Sequence, residues 1–254
     1  MRRHIFAVLS ALSAVLFAGP AGAQVKITQA NAKAGNVTPG DAAGFPVTLS
    51  VAGSYRLGSN LYPGSGLDGI LAESADITID LNGFTISGGP ASGGFNNARV
   101  GINGQGDRLT VKNGTIGAFA SSAIYAEGRH YVIVENMRIL NSNVGIYTAS
   151  GLFTRIQNST VATNRDNGII CGSSCHIEGT VVSSNQNAGI VIQSGTVLGN
   201  TIVENASVGV VVSSTGIIGL GNNTIFKNSA AGDGKQIGGP FIRLHPNACS
   251  PVAC

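Results

Sequence analysis

Apolar positions recur along this chain in a long, regular period. A small residue followed by an apolar β-branched residue marks each repeat, and the intervals between successive pairs are 22, 22, 23, 21 and 20 residues. The pairs are Gly101-Ile102, Ala123-Ile124, Gly145-Ile146, Gly168-Ile169, Gly189-Ile190 and Gly209-Val210. Self-similarity at a period of roughly 20 to 50 residues is typical of repeat architectures. The period therefore guides the interpretation of every local feature.

Two columns of asparagine keep register with this apolar pair. The first lies four residues before the later pairs and comprises Asn141, Asn164, Asn185, Asn205 and Asn228. The second lies in mid-repeat and comprises Asn113, Asn136, Asn158, Gly179, Asn200 and Asn222. Apolar residues precede each member of the second column by two positions, namely Val111, Val134, Ile156, Ile177, Leu198 and Leu220. Others follow it by three positions, namely Ile116, Ile139, Val161, Val182, Val203 and Ile225. Asparagine suits sharp turns because it tolerates a left-handed backbone, and stacked amides hydrogen-bond between layers.

Each repeat holds three short β-branched stretches separated by Asn, Gly or Ser, which predicts strands and turns. No stretch keeps the apolar spacing of an amphipathic helix. Coils that stack about 4.8 Å apart pair every strand with its counterpart above and below. We therefore predict an all-β fold, a right-handed parallel β-helix (a solenoid) of about ten coils. A leucine-rich repeat would need a leucine framework and a left-handed β-helix a hexapeptide rhythm, and the sequence has neither.

The ends of the chain depart from the repeat. Residues 1–23 have a basic start, a short apolar run and an Ala-x-Ala site, which predicts a secretory signal peptide rather than a membrane anchor. We interpret 24–63 as an N-terminal cap, 64–237 as the β-helix repeats and 238–254 as a C-terminal cap or tail. The mature protein is thus expected to be secreted, periplasmic or extracellular, with no membrane span after cleavage.

Composition and charge limit the classes of partner that this protein is expected to bind. Hydrophobic residues make up 43% of the chain and charged residues 11%, which argues against disorder. Loss of Arg2 and Arg3 with the signal peptide lowers the formal net charge from +3 to +1, which argues against a nucleic-acid partner, since such a partner calls for a basic stripe. We expect no nucleic-acid partner and no cofactor.

Four cysteines form two local pairs. An exported protein meets an oxidising compartment, so Cys171 with Cys175 and Cys249 with Cys254 are the expected disulfides among three possible connectivities. A metal site formed by Cys171, Cys175 and the adjacent His176 is the alternative. Its spacing matches no common zinc pattern, so we predict no metal site.

One insertion interrupts the repeat. The interval from Gly69 to Gly101 is 32 residues, about ten more than the period, and the excess lies in 87–100. This segment includes Phe95 and is rich in glycine. A long loop beside a regular sheet is a common place for function.

The stretch Ile77–Gly88, with the segment Gly53–Leu57 and the pair Asn60-Leu61 before it, resembles the opening coil of bacterial secreted right-handed parallel β-helix repeat proteins of the pectin-lyase-like superfamily. The resemblance covers most of the predicted mature chain and implies the fold. The superfamily includes lyases, hydrolases, epimerases, phage tailspikes and adhesins, so the resemblance does not imply one function.

Catalytic signatures of that superfamily are missing from this sequence. The Asn-Thr-Asp, Gly-Asp-Asp and Gly-His-Gly motifs of polygalacturonase-like members do not occur, nor does the Asp-Pro-His cluster of alginate-epimerase-like members. Acidic residues are spread about one per coil, whereas a Ca²⁺-dependent lyase clusters them around the ion. No catalytic residue of the superfamily can be assigned by its motif.

Candidate functional residues gather in the early coils beside the insertion. The position after each small-apolar pair, which should face outward, is Asn103, then Tyr125, then Tyr147; two residues further come Gln105 and Glu127. Together with Phe95 and Arg129 these residues predict a ligand-binding groove with tyrosines for sugar stacking. The candidate catalytic residues are Glu127, His130 and Arg108, in acid/base or charge-stabilising roles.

Three functional hypotheses follow. The leading one is a secreted scaffold that binds or contacts polysaccharide at the cell envelope. The second is a carbohydrate-active enzyme (a lyase, epimerase or hydrolase) that uses the groove near Tyr125 and Glu127. The third is a purely structural or adhesive surface protein, in which the tyrosines cover a sheet face and the charges solvate the turns. The sequence leaves the glycan, the metal dependence and the oligomeric state open.

Overall fold

The computed structural model describes residues 24–64, 66–89, 99–229 and 236–250. The described residues form one short helix, α1 (Gln29–Ala34), and otherwise strands and turns. The strands are β1 (Val25–Ile27), β2 (Val47–Leu49), β3 (Gly53–Leu57), β4 (Ile70–Ala72), β5 (Ile77–Asp80), β6 (Thr85–Ser87), β7 (Ile102–Gly104), β8 (Thr110–Gly117), β9 (Ser122–Tyr125), β10 (Ile133–Leu140), β11 (Val144–Leu152), β12 (Arg155–Gln157), β13 (Thr160–Ala162), β14 (Ile169–Ser173), β15 (Cys175–Glu178), β16 (Val181–Ser183), β17 (Ile190–Ile192), β18 (Gly195–Leu198), β19 (Thr201–Val203), β20 (Val210–Val212), β21 (Ile218–Gly221), β22 (Thr224–Phe226), β23 (Ile237–Gly238), β24 (Phe241–Arg243) and β25 (Ala248–Ser250).

The strands stack as a parallel β-helix, which confirms the predicted fold class. One sheet has nine strands in the order β2-β4-β7-β9-β11-β14-β17-β20-β23, and each neighbouring pair is parallel. The other sheet has 16 strands and contains two stacks, joined because the long strands β8 and β10 run through the turn between them. Each regular coil thus contributes three strand segments, as the repeat predicts.

The number of coils is smaller than the sequence suggested. Nine strands in one stack correspond to about eight turns among the described residues, so the expectation of about ten coils was wrong. The prediction counted chain segments that add no turn to the β-helix. These are helix α1 with its connections and the insertion between β6 and β7.

The small-apolar pairs form the core as predicted. Ile102, Ile124, Ile146, Ile169 and Ile190 are register neighbours in successive coils, and each is 0% exposed. Burying an isoleucine side chain stabilises the fold by about 1.5–3 kcal/mol, and a single coil has no second layer against which to bury it. Stacking of coils is therefore what makes the fold stable.

The small residue before each isoleucine has a steric cause. A Cβ at Gly168 would lie 2.7 Å from the carbonyl oxygen of Gly189 and 2.7 Å from Nδ2 of Asn185 in the next coil. Similarly, a Cβ at Gly189 would lie 2.7 Å from the carbonyl oxygen of Gly209. Side chains are thus excluded here because the turns of adjacent coils come close together.

The first asparagine column is a buried amide ladder. Nδ2 of Asn164 donates to Oδ1 of Asn185 at 2.9 Å, Asn185 donates to Asn205 at 2.8 Å, and Asn205 donates to Asn228 at 2.8 Å. Asn141 was wrongly placed in this column, because Ser142 is the residue whose backbone N–H donates to Oδ1 of Asn164. Asn141 is instead exposed, with a left-handed φ of 55°.

The second asparagine column marks left-handed turns, with one correction. Asn113, Asn136, Asn158, Gly179 and Asn222 all have positive φ, but the equivalent residue in the shortened coil is Gly199 and not Asn200. The strand register supports this correction. Val197 pairs with Ile177, and Ile202 pairs with Val182, so Val197 and Ile202 occupy the core positions that were expected for Leu198 and Val203. The coil between Ile177 and Val197 has 20 residues, and the next one, from Val197 to Leu220, has 23. Residues 197–203 therefore lie one position earlier than the sequence repeat indicates.

Cys171 and Cys175 form a disulfide, as predicted. Neither sulfur is a free thiolate in this disulfide, and His176 contacts Oγ1 of Thr196 and the carboxylate of Glu178. Cys249 is also disulfide-bonded, and its expected partner Cys254 lies outside the described residues.

The expected signal peptide, residues 1–23, likewise lies outside the described part of the chain. Within the described ranges, no helix has the length and hydropathy that a membrane crossing requires.

Candidate functional site

Three predicted ligand-binding residues form one outward-facing column on the nine-stranded sheet. Asn103 of β7 is the register partner of Tyr125 of β9, and Tyr125 is the partner of Tyr147 of β11. The flanking residues of each strand point inward, because side chains alternate between the two faces of a strand. Phe95, the predicted ligand-binding residue of the insertion, lies outside the described residues.

Tyr125 and Tyr147 stack. Their ring centroids lie 5.3 Å apart with an interplanar angle of 14°, an arrangement that in-register coils impose on equal side chains. One face of the Tyr125 ring therefore covers Tyr147. The opposite face points to the level of Asn103, where the shorter side chain leaves room.

A cleft of about 360 Å³ lies at this level. It is lined by Asp68, Arg99, Val100, Asn103, Ser121 and Tyr125. Asp68 organises the wall: one carboxylate oxygen accepts from Nδ2 of Asn103 at 3.1 Å, and the other accepts from the backbone N–H of Val100 at 3.1 Å. The end of the insertion is thereby tied to the cleft.

Glu127 lies beside the tyrosine column and controls the protonation of Tyr125. The Tyr125 hydroxyl donates a hydrogen bond to the Glu127 carboxylate. This hydrogen bond, with smaller effects of burial and of the Glu127 charge, raises the pKa of Tyr125 from 10.0 to about 12. Burial, followed by the Glu127 charge, also raises the pKa of Tyr147. Both tyrosines are therefore neutral hydrogen-bonding groups at physiological pH.

Arg129 joins this group to the preceding coil. Its Nε donates to the backbone carbonyl of Glu127 at 3.1 Å, and its Nη1 donates to the backbone carbonyl of Gln105 at 3.0 Å. The structure thus brings Gln105, Glu127 and Arg129 together at the edge of the tyrosine column.

The other two candidate catalytic residues lie on the following turn with partners of their own. Arg108 forms a bidentate ion pair with Asp76, at 2.5 Å from Nε and 2.7 Å from Nη2. Nδ1 of His130 accepts from the backbone N–H of Leu152 at 3.2 Å. Neither Arg108, His130 nor Glu127 is among the residues that line the cleft. The described residues therefore show a binding cleft more clearly than a catalytic constellation.

Sequence reasoning missed part of the cleft wall. Asp68 and Arg99 are 31 positions apart in sequence, and they line the same cleft because Ile70 and Ile102, which follow them closely, are register partners in adjacent coils. The available signal was their position, since Asp68 directly precedes the Gly69-Ile70 pair and Arg99 lies two residues before the Gly101-Ile102 pair.

A second aromatic pair was also missed. Tyr131 and Phe153 stack with centroids 5.0 Å apart, are 52% and 49% exposed, and have left-handed φ values of 58° and 60°. Bulky residues rarely adopt this conformation. The signal was their 22-residue spacing at equal places in the repeat.

Comparison with known proteins gives the family. The family described as "Right handed beta helix region" matches residues 68–229. No curated protein sequence matches the chain. Among solved structures, a crystal structure of pectate lyase Pel9A is similar with a TM-score of 0.45 and 13% identity, over 78% of this chain and 54% of that one. The chain thus spans about half the length of that lyase. Since the family match includes well over half of the residues and agrees with the stacked parallel strands, this chain belongs to the right-handed β-helix family.

Proposed function

We propose that this protein is a β-helix scaffold that binds a polysaccharide, with a sugar ring stacked on the face of Tyr125 that Tyr147 does not cover. The observation that carries the proposal is the cleft at the Asn103 level, where the tyrosine column ends and an aromatic face borders polar groups. The negative face of an aromatic ring attracts the C–H groups of a sugar ring.

The size of the cleft supports a small ring as the bound unit. Its volume of about 360 Å³ lies at the lower end of the roughly 300–1,000 Å³ typical of ligand pockets. A longer polysaccharide would continue along the coil axis, because the column of outward positions runs in that direction.

The polar groups of the wall suit sugar hydroxyls. Asp68 accepts hydrogen bonds, Arg99 donates them, and the Ser121 hydroxyl does both. Asn103 is held by Asp68, so its amide oxygen has a fixed orientation. A fixed set of donors and acceptors lowers the entropic cost of binding.

The partners of the candidate catalytic groups support a binding role over catalysis. Arg108 is neutralised by Asp76, and Glu127 accepts the Tyr125 hydroxyl, so neither is poised towards the cleft. The signal peptide expected from the sequence would take this binding role to the cell envelope.

A glycan array probed with the purified full chain tests the proposal. We expect binding to at least one glycan class, loss of that binding in Tyr125→Ala, and unchanged binding in Tyr62→Ala, which removes another exposed tyrosine. An array without hits, or equal loss in both variants, would overturn it.

A turnover assay separates binding from catalysis. Reducing ends and unsaturated uronates are measured with and without Ca²⁺ on every glycan that binds, and we expect no product. Turnover that Glu127→Gln abolishes would replace the binding scaffold by a carbohydrate-active enzyme.

A further inference from the structure

A second cleft lies on the 16-stranded sheet, near the start of the β-helix. Its volume is about 450 Å³. Two cationic side chains line it, Lys26 of β1 and Arg56 of β3, together with the amides of Gln24 and Asn82 and the ring of Phe84. Leu57, also at the cleft wall, is buried. No carboxylate residue is among the described residues that line this cleft.

The two cations are direct cross-strand neighbours. Lys26 pairs with Arg56 in register, and both side chains are exposed. Like charges at directly opposed positions destabilise a sheet. The next positions of the same column are Asp80, Lys112 and Glu135, which alternate in sign. The like-charged pair therefore departs from the pattern that stability alone favours.

Asp80, the register neighbour of Arg56 in the next coil, forms no ion pair with Arg56 or Lys26. Oδ1 of Asp80 accepts from the backbone N–H of Asn82 at 2.8 Å and from Nδ2 of Asn113 at 3.1 Å. The ion pairs among the described residues are Arg108–Asp76, His176–Glu178 and Lys227–Glu204, which include neither Lys26 nor Arg56. Arg56 donates one side-chain hydrogen bond, to Oδ1 of Asn82, and its guanidinium carries five N–H donors.

The Lys26 side chain is positioned by a glycine. Gly58, beside Leu57 in the cleft wall, carries no Cβ, and a Cβ there would overlap Cε of Lys26. The lysine stem therefore lies across the backbone of Gly58. This contact directs the stem of the exposed Lys26 side chain along the wall of the cleft.

We propose that this cleft binds a tetrahedral oxyanion, a phosphate or sulfate group, between the Arg56 guanidinium and the Lys26 ammonium. An arginine fork matches two oxygens of such a group, and a lysine adds a point charge. The Gln24 and Asn82 amides provide further polar contacts, and Phe84 shields one side of the site. This site is independent of the Tyr125 cleft, which lies on the other sheet.

Isothermal titration calorimetry with inorganic phosphate and with sulfate, at constant low ionic strength, tests the proposal. We expect saturable binding to the full chain and about a tenfold or greater loss of affinity in Arg56→Gln, as expected for a lost charge-assisted hydrogen bond. Lys112→Gln removes a cation from the same column outside the cleft and is expected to bind like the wild type. No binding, or equal losses in Arg56→Gln and Lys112→Gln, would overturn the proposal.

Gly58→Ala keeps every charge and displaces only Lys26. We expect weaker phosphate binding with an unchanged far-ultraviolet circular dichroism spectrum. Unchanged affinity in this variant, with the protein folded, would contradict the role of Lys26.

The source of the anion is distinguished by titrating glucose 6-phosphate and glucose. Tighter binding of the phosphorylated sugar than of inorganic phosphate assigns the site to a sugar-borne ester, and equal binding assigns it to the free anion. Binding of glucose as tight as that of its phosphate would overturn oxyanion recognition.

Discussion

The hydroxyl of Tyr125 donates a hydrogen bond to the carboxylate of Glu127, two residues further along the same coil. This contact fixes the phenol ring from its polar end, while stacking on Tyr147 fixes it from one face. The remaining face is thus oriented before a ligand arrives. Preorganisation of this kind raises affinity because less side-chain entropy is lost on binding.

Replacing Glu127 should change the titration of Tyr125. The carboxylate stabilises the protonated phenol and repels the phenolate, which raises the pKa of Tyr125 to about 12. Glu127→Gln removes the charge, so we expect the pKa of Tyr125 to fall towards 10. The ultraviolet absorbance of tyrosinate during an alkaline titration measures this pKa. The titration step that is missing in Tyr125→Phe is the one that belongs to Tyr125.

The same shift predicts how stability depends on pH. Because folding raises the pKa of Tyr125, its contribution to the free energy of unfolding is complete below pH 10 and is lost as pH rises from 10 to about 12. The stability difference between wild type and Tyr125→Phe should shrink over that interval. A constant difference would show that the hydrogen bond to Glu127 does not form in solution.

The amide ladder should carry more stability than exposed polar residues beside it. Asn185 is buried, donates to Asn205, and accepts from both the backbone N–H and Nδ2 of Asn164. Asn185→Ala leaves these groups unsatisfied in both neighbouring coils, so we expect a loss of about 2–4 kcal/mol in the free energy of unfolding. Chemical denaturation measures this loss.

The adjacent Gln186→Ala is the matched control, because Gln186 is exposed. Its effect should stay within about 0.5 kcal/mol. Similar midpoints for the Asn185 and Gln186 variants would show that the ladder contributes little.

The repeat could be predicted from the sequence because its cause is local and recurs in each coil. The column of buried isoleucines from Ile102 to Ile190 follows directly from the period. The prediction that Asn200 occupies a left-handed turn was wrong, because glycine tolerates this conformation as well as asparagine does and the adjacent Gly199 adopts it. Asn200 instead belongs to a buried hydrogen-bonded column with Thr180 and Asn223.

The site was predictable only in part. Tyr125, Tyr147 and Asn103 share one offset within the repeat, which places them in one column. The cleft also needs Asp68 and Arg99, which precede the register partners Ile70 and Ile102. The side chains at these places differ from coil to coil, so the period does not indicate that they form one cleft.

Steric exclusion at the small-residue column gives a further prediction. A Cβ at Gly168 would lie 2.7 Å from both the Gly189 carbonyl oxygen and Nδ2 of Asn185, so Gly168→Ala must separate two coils. We expect a loss of about 1–3 kcal/mol in the free energy of unfolding, as for other overpacked sites.

Gly238 is the matched control for this variant. A Cβ there would meet no atom nearer than Cγ1 of Val208 at 3.9 Å, an ordinary contact. Gly238→Ala should therefore change stability by less than about 0.5 kcal/mol. Equal denaturation midpoints for the two variants would contradict the close approach of the coils at Gly168.

Extending the tyrosine column should separate ligand binding from stability. Asn103 occupies the level next to Tyr125, so Asn103→Tyr places a third ring where we propose that the sugar binds. The new ring stack should add about 0.5–1.5 kcal/mol to the free energy of unfolding, which offsets the loss of the hydrogen bond to Asp68. The thermal unfolding midpoint should therefore stay near that of the wild type. Glycan binding should disappear. Asn103→Ala loses the same hydrogen bond but leaves the cleft open, so it should retain weaker binding. If Asn103→Tyr binds glycan as tightly as the wild type, the sugar does not stack on Tyr125 at this level.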